Sequence, residues 1–266
     1  MSASFASFLM PPRLASALFL AALGVAACRG EAAPSQRTTI LWAWDRPEDV
    51  SFLGAGAIVA SLQATFTLRS DDLTIRRRSA PHVYPADAER IDVVRIEVDR
   101  ASPPTLSARQ TERVARALDG VSHPGRELQI DFDATVSQRP FYRALLTELR
   151  SLRGHHERIS ITALASWCFG DPWIADLPVD DAIPMLFRLG VDETEIRRRL
   201  ARGEPFRASL CQQSLGIATD EPISPPRSAS QNALRVFVFH PSSWTAGDYR
   251  RAISALGALG IEGSHF

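Results

Sequence analysis

The sequence predicts an α/β fold, a (β/α)8 barrel of the TIM-barrel type that is irregular at its second and seventh units. Two observations lead there. Short apolar runs of strand character recur along the chain, and most are separated by stretches long enough for a helix or a long loop, the rhythm of β/α units. Eight such runs can be counted, and polar or charged residues cluster where they end.

The first run, Thr39 to Trp44, is stopped by Asp45-Arg46-Pro47, and a helix is expected from Val50 to Leu62. Ala64 to Leu68 and Leu73 to Arg77 flank Ser70-Asp71-Asp72 and read as a hairpin, the first break in the rhythm. The third strand is Asp92 to Val98, followed by a helix from Leu106 to Leu118 with Ser107 as a plausible N-cap. The fourth is Leu128 to Phe132, with a helix from about Ser137 to Leu152. Ile159 to Leu164, Ile183 to Phe187, Leu215 to Ala218 and Arg235 to Phe239 complete the set. The Pro- and Ser-rich stretch from Asp220 to Asn232 reads as an irregular surface loop in the seventh unit.

Ahead of these runs, Arg13, the apolar stretch from Leu14 to Val25 and the small residues before Cys28 have the layout of an export signal. The stretch is shorter than the roughly 20 apolar residues that a membrane span needs. Val25-Ala26-Ala27-Cys28 resembles the lipobox of bacterial lipoproteins, whose cysteine is acylated and becomes the new N-terminus. Residues 1–28 are therefore read as signal peptide and lipobox, 29–37 as a tether, and 38–266 as one barrel domain. Lipidation at Cys28 implies membrane attachment through a lipid anchor in the cell envelope, on the periplasmic side of the outer membrane. Cys168 and Cys211 remain, and an exported chain either joins them in a disulfide or keeps two buried thiols. Their isolation lacks the spacing of a zinc motif, so no metal is expected.

Thirty basic residues balance thirty acidic ones, so no overall field draws in nucleic acid, and no such partner is expected. Every basic residue is arginine, which removes Schiff-base chemistry and the phosphate-loop lysine. No HExxH, no Gly-rich phosphate loop and no Gly-x-Ser-x-Gly elbow occurs, and no cofactor is expected. The sequence carries no signal of oligomeric state.

Active sites of such barrels lie at the C-terminal strand ends. The most informative end is Leu128 to Ala134, where period-two alternation puts Gln129, Asp131 and Asp133 on one face. Burying carboxylates costs several kcal/mol unless they are paired, so such a face answers to a ligand, an arginine partner or a catalytic role. Arg95 and Arg188 are the arginines that alternation could aim at it, and plain salt bridges are the competing reading. Glycoside hydrolysis requires two carboxyl groups and aromatic faces for the sugar rings. Asp133 is the first candidate, Glu97 or Asp220 the second, with Asp131 tuning Asp133 by proximity. Asp45, Trp167, Arg188, His240 and Trp244 stand at other strand ends as candidate contacts to a glycan ligand, and Trp42, Trp44 and Trp173 could add stacking surface.

Leu41 to Asp49, Gln129 to Ala134, Ile161 to Cys168 and Pro184 to Gly190 resemble an uncharacterised bacterial family, domain of unknown function 3142. The likeness spans most of the chain after Cys28 and implies no established reaction. More distantly, the acidic fourth strand is similar to that of chitinase-like barrels, in which an Asp-x-Asp-x-Glu series ends in the catalytic acid. Thr135 stands where that glutamate would be, which leaves Asp133 as its substitute. The expectation is a carbohydrate-active barrel, with a non-catalytic glycan- or protein-binding or structural envelope lipoprotein as the alternative.

Overall fold

A computed structural model of the chain describes Met1 and residues 37–222 and 233–261. The expected signal peptide, Cys28, nearly all of the tether, and residues 223–232 of the expected seventh-unit loop lie outside the described residues.

The strands are β1 (Thr38–Ala43), β2 (Glu48–Asp49), β3 (Ile58–Arg69), β4 (Asp72–Arg77), β5 (His82–Val83) and β6 (Glu89–Val98). They continue as β7 (Leu128–Asp131), β8 (Ile159–Leu164), β9 (Asp181–Met185), β10 (Ser214–Ala218) and β11 (Arg235–Phe239). The helices are α1 (Ala108–Val121), α2 (Arg139–Arg153), α3 (Ala165–Phe169), α4 (Glu193–Ala201) and α5 (Ala246–Ala258). In spatial order β3, β6, β7, β8, β9, β10, β11 and β1 form a parallel sheet that closes when β1 pairs with β3, an eight-stranded barrel with helices outside it. The expected barrel is the observed fold.

Its second unit is irregular as expected: β4 folds back antiparallel on β3 in place of a helix. The helix expected from Val50 to Leu62 does not form. Gly54 and Gly56 interrupt the run, Gly56 at a φ of 77°, and the chain turns there and enters β3 at Ile58. Period two then governs: Ala60 and Leu62 face the barrel interior while Val59 packs outside, against the cluster around α5. The pairing of β3 with β6 shifts between Leu62 and Ala64. This bulge reverses the parity, so Ala64, Phe66 and Leu68 face the outer core instead.

Three apolar clusters hold the barrel. The largest lies between the sheet and the helices, where Leu118 of α1 and Tyr142, Leu145 and Leu149 of α2 cover β6 to β8. Ser107 caps α1 by accepting the N–H of Gln110, as expected. A second cluster sits under α5, with Trp244, Ala252 and Leu256. The third fills the barrel, with Ile40, Trp42, Ile183 and Phe237 at its centre. Gly216 of β10 makes room for Trp42, because a methyl group on it would lie 3.0 Å from the indole. Towards the N-terminal end, Arg235 pairs with Glu127 at 2.7 Å and with Asp181 at 2.9 Å, closing the interior with a polar layer.

Cys168 of α3 and Cys211 are joined in a disulfide, both fully buried, which selects between the two states left open by the sequence.

Candidate functional site

A cavity of about 350 Å³ opens at the C-terminal mouth of the barrel. Its floor is Trp42, whose indole N–H donates to the side-chain carbonyl of Gln129 at 2.6 Å. Its wall is aromatic on one side: Phe187 and Phe239 stack with centroids 5.5 Å apart, and Trp44 meets Phe239 edge-on at 6.0 Å. The other side is polar and carries Arg95, Asp131, Asp133 and Thr162.

The polar side follows from strand register. Arg95 of β6 pairs with Asp131 of β7, and the pairing of Gln129 with Ser160 brings Thr162 of β8 level with Asp131. Three adjacent strands thus place one side chain each in a single row. Arg95 donates to Asp131 at 3.1 Å, and the hydroxyl of Thr162 donates to its other oxygen at 2.8 Å. Arg95 also holds Glu97 at 2.8 Å and lies over the ring of Trp44 at 5.7 Å. Asp131 is 5% exposed, and burial raises its pKa above the ordinary carboxylate value against the opposing pull of Arg95 and Thr162.

Asp133 lies two residues further out and differs in kind. It reaches solvent at the mouth, yet among the described residues it has neither a hydrogen bond nor an ion pair. Lost hydration on its protein side, and then the charge of Asp131, raise its pKa, with Arg95 pulling the other way.

Arg188, beyond the end of β9, has a left-handed backbone with φ of 52°, a conformation that non-glycine residues rarely adopt. Its guanidinium pairs with Asp220 at 2.7 Å and with Glu221, and it lies over the Phe239 ring at 5.6 Å. Its backbone N–H donates to Glu221 as well. The hydrogen bond from Arg188 is the first among the causes that draw the Asp220 pKa down, against burial. Arg46 completes the rim and is held by Glu48 at 2.8 Å.

Of the residues singled out from the sequence, Asp131, Asp133 and Arg188 line the cavity, as do Gln129, Arg95, Trp42 and Trp44. Glu97 and Asp220 do not line it but are tied to arginines that do. Asp45 sits outside it, paired with Arg76; burial opposes its ionisation, but that hydrogen bond and backbone N–H groups outweigh burial and lower its pKa. Trp167 is 2% exposed in the outer core, edge-on to Trp173, and Trp244 is 3% exposed under α5 with its indole N–H on the Trp42 carbonyl. Neither ring offers a face to a ligand. His240 lies in a separate depression between β10, β11 and α5, bonded to Thr219 at 2.6 Å.

Sequence reasoning did not single out Thr162, Phe187, Phe239 or Arg46. Thr162 had a readable signal, since it has the parity of Ser160 on a strand next to β7. Among the described residues, no group of three or more His, Cys, Asp or Glu is placed to hold a metal ion, and no helix is long and apolar enough to cross a membrane. Compared with protein-family models, curated proteins and solved structures, the chain matches none.

Proposed function

We propose that this chain is a carbohydrate-active lipoprotein of the bacterial cell envelope, a glycoside-hydrolase-like member of the family that its sequence resembles. In this reading the cavity takes the end of a glycan, and Asp133 exchanges the proton. The observation that carries it is Asp133, the one ionisable group of the cavity lining without a hydrogen bond or ion pair among the described residues. Its carboxyl is pushed towards holding its proton, as a general acid requires. The aromatic wall of Trp44, Phe187 and Phe239 supplies the apolar face that a sugar ring stacks upon. A volume of about 350 Å³ is near the lower end of the roughly 300–1,000 Å³ typical of small-molecule sites, which suits a ring entering end-on. Glu97 and Asp220 are the candidates for the second carboxyl group, and either would have to leave its arginine to act. The buried disulfide is of a kind that persists in oxidising compartments, in keeping with export and anchoring at Cys28 on the periplasmic side of the outer membrane.

A non-catalytic glycan-binding lipoprotein is the second reading. It is favoured by the same commitment of Glu97 and Asp220 to arginines, which leaves Asp133 as the one unpaired carboxyl group of the cavity lining among the described residues. Screening the purified protein and Asp133→Asn against a glycan panel, with released sugar and thermal shift read together, separates the two. Release by wild type and its loss in the variant is the expected result. A thermal shift without release selects the binding protein, release undiminished in Asp133→Asn removes Asp133 from the chemistry, and silence with every glycan overturns the carbohydrate reading.

A further inference from the structure

We infer that Glu97, Asp220 and Glu221 determine specificity by masking two arginines of the cavity, Arg95 and Arg188, so that the site accepts uncharged rings and refuses acidic ones. The inference about rings rests on the reading of the cavity as a glycan site; the masking itself does not.

Arginine is the side chain best suited to recognise carboxylate, sulfate or phosphate groups, because its planar fork presents paired donors. Three arginines line this cavity, which alone would suggest an acidic ligand. Each is already engaged. Arg46 is held by Glu48 and by the carbonyl groups of His240 and Pro241. Arg95 is shared between Asp131 and Glu97. Arg188 is gripped by Asp220 and Glu221, with Arg197 of α4 reaching Glu221 at 3.4 Å from the other side.

An entering anion would have to displace one of these carboxylates, and one taking the place of Glu97 on Arg95 would then lie close to Asp131, which the same arginine holds at 3.1 Å. Like charges brought together in a cavity with apolar walls repel strongly, and the displaced carboxylate would have to find new partners. A neutral hydroxylated ring meets neither cost: it needs only the aromatic wall and one bond to Asp133. Specificity obtained through a repulsive element, and not through added attraction, is a general device. Masking also explains why Glu97 and Glu221 stand at the mouth without lining it. Their partners, not the ligand, are what they touch.

The test uses two probes on the purified protein. The first is inorganic sulfate, followed by thermal shift at matched ionic strength. Wild type is expected to show no specific stabilisation, whereas Glu97→Gln/Asp220→Asn/Glu221→Gln is stabilised with saturation. Glu221→Gln alone, at a partly exposed position, gives a smaller shift in the same direction and serves if the triple variant does not fold. The second probe is a matched pair of oligosaccharides, neutral glucose or galactose oligomers against the uronate oligomers of the same linkage. Wild type should bind the neutral member about tenfold or more tightly than the uronate, and the variants should narrow that gap. Sulfate bound by wild type as well as by the variants, or uronate bound by wild type as tightly as the neutral oligomer, overturns the inference and leaves the glycan reading standing. Failure of wild type to bind any oligosaccharide overturns the glycan reading, and the sulfate comparison still decides whether the arginines are masked.

Discussion

Gly216→Ala tests the packing on which the cavity floor depends. On this backbone the added methyl group would lie 3.0 Å from Cη2 of Trp42, 3.3 Å from Cγ2 of Ile183 and 3.3 Å from the carbonyl oxygen of Pro184. The Pro184 oxygen belongs to β9 and Ile183 is fully buried, so neither can retreat freely. The indole must move, and it is held by the 2.6 Å bond to Gln129 and by Phe237 at 5.2 Å. Overpacking a core costs about 1–3 kcal/mol, and weakening a buried hydrogen bond adds about 1 kcal/mol. Replacing glycine in a strand returns about 0.5–1 kcal/mol. The net loss is about 2 kcal/mol, which for a chain of this size lowers Tm by about 4–8 °C. Urea denaturation and calorimetry measure it directly. Trp42→Phe, introduced into the Gly216→Ala background, should recover part of the loss, giving a coupling energy of about 1 kcal/mol or more in a double-mutant cycle. Stability of Gly216→Ala within about 0.5 kcal/mol of wild type, or strict additivity with Trp42→Phe, would refute the packing argument.

Three further outcomes are expected. Asp131→Asn should lower the pKa of Asp133, because it removes the second-largest cause of the rise and leaves lost hydration in place; carboxyl NMR titration checks it, and an unchanged Asp133 shows that the two do not interact. His82 is depressed from its ordinary 6.5 to about 3, by burial first and then by Arg78 and Arg90. The unfolded chain therefore takes up the proton first as pH falls, and the loss of stability from pH 6.5 towards 3 reaches about 2 kcal/mol near pH 5. His82→Phe should flatten that part of the pH–stability curve, and parallel curves for the two proteins would count against it. The Cys168–Cys211 disulfide spans a sequence separation of 43, so its removal as Cys168→Ala/Cys211→Ala should cost about 4 kcal/mol through loop closure alone; an unshifted denaturation midpoint would show that the cross-link does not constrain the unfolded chain.

The legibility of this fold in its sequence varied with the range of the signal. The barrel strands were readable because each is a short apolar run, and Ser107 was readable as a cap because capping is local. The stretch after Val50 misled because it is apolar enough for a helix; only Gly54 and Gly56 show that it must turn and then alternate. At the site, Asp131 and Asp133 were found from β7 alone, whose parity survives any uncertainty about its neighbours. Arg95 and Arg188 were readable as arginines that alternation could aim at them, and Trp42 and Trp44 as stacking surface, but the pairing was not, since Arg95 and Thr162 meet Asp131 through the register of three strands more than thirty residues apart in the chain. Trp167 and Trp244 sit near strand ends in the sequence, but each turned into an apolar layer outside the barrel, where burial of so large a side chain is favourable.

That same register explains why two aspartates separated by one residue are not equivalent. Asp131 is paired with Arg95 of β6 and lies one residue past the last pair of β7 with β8, Ile130 with Ile161, so an arginine and a threonine still reach it from both sides. Two residues on, β7 has ended, and Asp133 has climbed past the donors that satisfy Asp131. Phe132 between them is turned outward onto Tyr142, at 5.1 Å, which anchors the chain at this point and keeps both carboxyl groups on the cavity side. A one-residue slip of β7 would expose Phe132 to the cavity and bury the acids under α2. The packing of Phe132 on α2 is therefore a condition for having an unpaired carboxyl group over the mouth at all.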